Sequence, residues 1–167
     1  MKRNIKQNTL LILGAMCMAI ADISVAATNT IATNHEHEHP ASAVTLQLDA
    51  GKKWQTDVAL RQAMSNIRRA MDVALNDIHA NRLSAKGYGV LAKKIEHEVG
   101  DVVANCKLET KADAQLHLII AELLDGAAQM AGKASQVKRQ AGAVWVIGAM
   151  EKYGAYFDDA GFKQISH

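Results

Sequence analysis

Between Thr56 and Phe157, apolar residues recur every three to four positions, the spacing that lines one face of an α-helix. Leu60, Met64, Ile67, Met71, Leu75 and Ile78 form a first stripe. It predicts a helix running from a Thr56 N-cap to about His79, with Asp57 favouring the positive helix start. The second stripe is Tyr88, Leu91, Ile95, Val99, Val102 and Cys106, and Ser84 is placed to cap it. The third holds Leu116, Ile120, Leu123, Ala127 and Met130, opened by a T-x-x-D capping box at Thr110 and Asp113. The fourth runs from about Ser135 to Phe157, with its clearest face at Val146, Met150, Tyr153 and Phe157. The breaks fall near 80–84, 107–110 and 131–135. Four amphipathic helices with short connections predict an all-α fold, an antiparallel up-down-up-down four-helix bundle. On the last helix Ala141, Gly148 and Ala155 repeat at heptad spacing, where small side chains let a neighbouring helix come close.

The pattern changes upstream. Val44, Leu46 and Leu48 alternate with polar residues like a strand, but one strand has no partner, so an extended segment along the domain is expected. Trp54 is expected to tuck under the first helix. Residues 27–50 read as an arm. Before it, Lys2, Arg3 and Lys6 precede a short apolar run from Leu10 to Ile20 and small residues up to Ala26. This is the layout of a secretory signal peptide cleaved after Ala26, and the run is shorter than the ~20 residues of a membrane-spanning helix. Methionine at position 16, directly before Cys17, argues against a lipoprotein signal. The expected organisation is a signal peptide over 1–26, a histidine-containing arm over 27–50, a helical bundle over 51–162 and a tail over 163–167. The expected location is the periplasm, with no stable membrane insertion after cleavage.

Composition narrows the partners. The chain carries 19 basic and 17 acidic residues. Loss of the leader removes Lys2, Arg3, Lys6 and Asp22, which leaves the two signs balanced and disfavours a nucleic acid or an anionic membrane as partner. Aromatics are scarce and Pro40 is the one proline, in keeping with a helical domain.

Cys106 is the one cysteine left after cleavage, and His117 follows it on the next helix. In an antiparallel bundle the start of the first helix, the end of the second, the start of the third and the end of the fourth share one end. Met64 then lies ~12 Å deep, and His117 and Met150 each ~10 Å deep, at 1.5 Å per residue. Thiolate, thioether and imidazole form a soft ligand set suited to Cu(I), so Cys106, His117, Met64 and Met150 are candidate metal ligands. The competing interpretation is core packing, because free cysteine behaves as a small buried hydrophobe. In the arm, His35, His37 and His39 alternate with Glu36 and Glu38, a set able to chelate Cu(II), Zn(II) or Ni(II). His79, His97 and His167 read as isolated surface residues.

The runs WQTD, LRQAM, ANCKLETKADAQLH and YGAYFDDAGF together resemble a group of small exported helical proteins of proteobacteria. The resemblance covers about residues 44–162 and implies a helical periplasmic domain loosely associated with metal-handling neighbours. It supplies no catalytic residue. The architecture is also similar to cytochrome b562 and cytochrome c′, yet the C-x-x-C-H attachment motif is missing. Non-covalent haem held by Met64 and His117 is the corresponding, less favoured expectation. No nucleophile elbow, facing carboxylate pair or phosphate loop points to an enzyme. Two functions therefore stand: a non-enzymatic periplasmic protein that binds or sequesters copper, and a metal-free helical adaptor that docks a protein through its WQTD entry and aromatic C-terminus.

Overall fold

Each apolar stripe becomes a helix. The computed structural model describes residues 45–134 and 137–165, and among these the fold is all-helical apart from two short strands. The order is β1 (Trp54–Gln55), α1 (Val58–His79), α2 (Ala85–Asn105), α3 (Thr110–Ala131), α4 (Arg139–Tyr156) and β2 (Phe157–Asp158). The signal-peptide assignment and the histidines of the arm lie outside the described residues. So do Val44 and His167.

The stripes meet in one core. Leu60, Met64, Ile67 and Met71 of α1, Ile95 and Val102 of α2, Leu116, Ile119 and Leu123 of α3, and Val146, Met150 and Tyr153 of α4 are all buried. Burying each such side chain contributes ~1.5–3 kcal/mol, so four stripes outweigh the modest helix propensities of the individual segments. Consecutive helices pack on each other, and α1 also touches α4.

Local chemistry fixes the ends, not always at the expected residue. Asp57, rather than Thr56, caps α1, its Oδ1 accepting from the Leu60 N–H at 2.8 Å. The Thr56 hydroxyl instead donates to the Asp158 carbonyl at 2.6 Å. Ser84 caps α2 as expected, through the Gly87 N–H. For α3 the cap is Glu109, which accepts from Lys111 and Ala112, and Thr110 is already helical. A glutamate side chain long enough to reach two amides displaces the predicted capping box. Gly132, at φ 79°, closes α3 in the left-handed conformation.

β1 pairs in parallel with β2, Trp54 opposite Phe157 and Gln55 opposite Asp158, which joins the start of α1 to the end of α4. The Lys107 N–H donates to Asp57 Oδ2 at 2.6 Å, tying the segment after α2 to the same place. At the other end, Gln140 of α4 donates to the Ile78 carbonyl of α1 at 2.8 Å. Upstream, Leu46 packs against the core, Leu48 is 41% exposed, and the Gln47 N–H donates to Gln115 of α3. A tight turn at Ala50 and Gly51, both at positive φ, bridges Asp49 to Lys52. Trp54 is buried, with its indole N–H on the Gln47 carbonyl.

The close helix contact lies elsewhere than the heptad row suggests. Gly148 has open space where a side chain would stand and Ala155 is exposed. Instead Gly126 of α3 and Gly142 of α4 face each other, each backbone carbonyl occupying the room a Cβ on the other would need.

Candidate metal site at the Cys106 end

Cys106 stands just past α2 in extended backbone, its amide still donating to the Val102 carbonyl. It is half-buried, neither sealed in the core nor freely exposed. Its thiol is pushed up to about 12, first by burial, then by the charge of Asp57 and a hydrogen bond to it, and by Asp113. The thiol is therefore protonated at neutral pH, a weak nucleophile.

Asp57 is the hub of this end. Burial works to raise its carboxyl, but the Leu60 and Lys107 N–H groups, the Cys106 thiol and the Arg61 guanidinium outweigh that and hold it below the ordinary range. One side chain thus caps α1 and clasps the end of α2.

His117 lies on α3, one turn beyond Asp113. Its Nδ1 is 2.9 Å from the Asp113 carbonyl oxygen and 3.4 Å from the Asp113 carboxylate. A carbonyl only accepts, so that hydrogen bond requires the proton on Nδ1 and leaves Nε2 as the nitrogen not engaged by Asp113. Cys106, Asp113 and His117 line one small cleft of about 190 Å³, walled by Val102, Leu116 and Ile120.

The cleft unites Cys106 and His117 but not the whole expected set. Met64 and Met150 are each 1% exposed in the core and do not line it. Nor do the donor atoms of Cys106, Asp113 and His117 converge within 4.8 Å of one another. A cleft of this size falls below the ~300–1,000 Å³ of pockets that enclose flat, drug-sized ligands, which argues against haem between Met64 and His117. Asp57 and Asp113 were legible only as helix-start acids. The available signal was that both open helices at the end Cys106 reaches.

Among the described residues, His97, Glu98 and Asp101 of α2 bring three donor atoms within 4.8 Å of one another. His97 is thus not isolated, its Nε2 standing 3.6 Å from Asp101. Glu98 is the buried carboxylate between α1 and α2, gripped by Lys94 and by Asn66 at 2.9 Å. Burial alone would raise it, yet those two partners hold it low. Its charge is already compensated, and the trio reads as a helix pin.

Of the aromatic residues expected to form a docking surface, Trp54 and Phe157 are buried on paired strands, while Tyr156 and Phe162 are partly buried. No helix of the described residues is long and apolar enough to cross a membrane. No protein-family model, curated protein or solved structure matches this chain.

Proposed function

We propose that this chain is a non-enzymatic metal-binding protein, exported to the periplasm behind its leader, that holds copper at Cys106 and His117. The four helices are read as an antiparallel up-down-up-down bundle. That reading rests on α1 and α4 being joined at opposite ends by β1–β2 and by Gln140 to Ile78.

The observation that carries the metal reading is the shared cleft of Cys106, Asp113 and His117. A histidine whose Nδ1–H is fixed on a carbonyl presents Nε2, the arrangement that orients metal-bound imidazoles. His117 is exposed at the rim of the cleft that Cys106 also lines, within reach of an incoming ion. Asp57 and Asp113 supply negative charge, which disfavours a bare thiolate and favours a metal cation in the place of the thiol proton. Thiolate and imidazole suit Cu(I).

The test is Cu(I) competition under anaerobic, reducing conditions. Cys106→Ser and His117→Ala should each weaken binding at least tenfold, while Met64→Leu, outside the cleft, should leave it unchanged. Wild-type affinity in both of the first two variants would reject the site. Binding at His35, His37 and His39 is separable, since a chain lacking residues 27–43 should keep the Cu(I) site and lose any weaker Cu(II) or Zn(II) uptake.

A further inference from the structure

A second cleft, of about 530 Å³, runs between α1 and the segment after α4. Arg61, Gln62, Ser65 and Arg68 form one wall, and Asp158 and Asp159 stand in the other. Its size falls in the ~300–1,000 Å³ range of small-ligand sites. Its charge is not uniform. At the acidic end Asp158 is anchored by strand pairing at the level of Gln55, its carbonyl accepting from Thr56 and its carboxylate from Gln55 at a long 3.3 Å. Both Asp159 carboxylate oxygens, by contrast, already accept, from the Tyr153 hydroxyl and the Gly161 N–H. Arg61 is committed to that end as well, its Nη1 donating to the Thr56 carbonyl and hydroxyl at 2.8 and 3.1 Å. Among the described residues that line the cleft, Arg68 marks the opposite end, its ion pair there a 3.5 Å contact with half-exposed Asp72. Such a surface pair is worth ~0–1 kcal/mol, so the guanidinium stays available to a better carboxylate.

A cleft negative at one end and positive at the other selects a ligand of the reverse polarity. Arg68 lies ~18 Å beyond Thr56 along the helix axis at 1.5 Å per residue. Its side chain leans back toward the helix start, which leaves roughly 10–12 Å between the charged ends. Three to four extended residues span that distance at ~3.3 Å each. Ser65 and Gln62 stand between the ends to meet peptide groups, and Val58 and Phe162 offer apolar surface to side chains. We infer that this cleft binds a short unblocked peptide of three to four residues, with its ammonium at Asp158 and its carboxylate on Arg68. The site is independent of the copper cleft.

Calorimetric titration of the purified chain in chelator, with trialanine as the probe, tests the inference. Trialanine should bind saturably, and acetylating its amine or amidating its carboxylate should each weaken binding about tenfold, the worth of one charged hydrogen bond. Arg68→Gln should erase the difference between trialanine and its amide, and Asp158→Asn the difference between trialanine and its acetylated form. No saturable binding, equal binding of the blocked peptides, or Arg68-dependent capture of inorganic phosphate at equal affinity would each overturn it. The blocked peptides carry the test on the unaltered chain, whatever the variants do to folding, and no outcome depends on copper.

Discussion

Gly142→Ala and Gly148→Ala should move stability in opposite directions, although both add one methyl to the same helix. At Gly142 a Cβ would stand 2.6 Å from the Gly126 carbonyl oxygen, 2.7 Å from the Met130 nitrogen and 2.8 Å from the Gln129 Cβ. Two of the three are backbone atoms that cannot rotate away. Ordinary contact begins near 3.4 Å, so α3 and α4 must separate by most of an ångström. A gap of 0.5–1 Å forfeits a quarter to a half of each dispersion contact along the seam. Overpacking costs ~1–3 kcal/mol and more where the backbone must shift, against ~1 kcal/mol gained from replacing glycine in a helix. The net expectation is a loss of about 2 kcal/mol. At Gly148 nothing lies within 4 Å, and the helix gain stands alone at ~0.5–1 kcal/mol. With a urea m-value of ~2 kcal/mol/M, the midpoint should fall by about 1 M for Gly142→Ala and rise by ~0.3–0.5 M for Gly148→Ala. Gains in both variants would refute the close approach of α3 and α4 at this point.

Three further outcomes follow from single side chains. Asp57 is held below the ordinary carboxylate range, so its contribution is complete above that range and lost as pH falls through its depressed folded value. Asp57→Asn keeps a cap for α1 but turns a donor toward the Lys107 N–H. It should cost about 1–2 kcal/mol at pH 7, little at pH 2, and should speed alkylation of Cys106 by removing the charge that raises its thiol. Ala50, at φ 47° beside Gly51, occupies a left-handed turn position that asparagine tolerates better, so Ala50→Asn should raise the thermal midpoint for a gain of ~0.5–1 kcal/mol. The Tyr88 hydroxyl is buried without a partner among the described residues, so Tyr88→Phe should stabilise by about 1 kcal/mol in urea unfolding.

The four helices were legible because burial imposes a period that no competing element shares. Every residue of the stripes on α1 and α3 is buried. The stripe of α2 fails only at Cys106, where the helix has already ended. What the pattern misses is decided by reach. Glu109 rather than Thr110 caps α3 because two amides fall within range of a longer side chain, and Asp57 wins over Thr56 because Thr56 is drawn to Asp158. The heptad of small residues misleads for a related reason. A helix row shows where a neighbour can approach, but the actual contact depends on the facing helix, and only α3 places a glycine opposite Gly142. For the site, depth counting brought Cys106 and His117 to one end. It could not separate the inward stripe holding Met64 and Met150 from the rim holding His117.

The rim position bears on how Cys106 would keep its thiol under the proposed export. Oxidation and metal binding both proceed through the thiolate, and here partial burial first, then two carboxylates, hold the proton on. A neutral oxidant gains nothing from those carboxylates, so they slow its attack. Under the proposed function a metal cation would gain from both, replacing the thiol proton with a larger positive charge in the same negative field. One arrangement of Asp57 and Asp113 therefore separates the two fates by the charge of the incoming species. Burial alone would exclude both, and exposure alone would admit both. The half-buried position of Cys106 between two acidic helix starts is what lets the distinction be electrostatic.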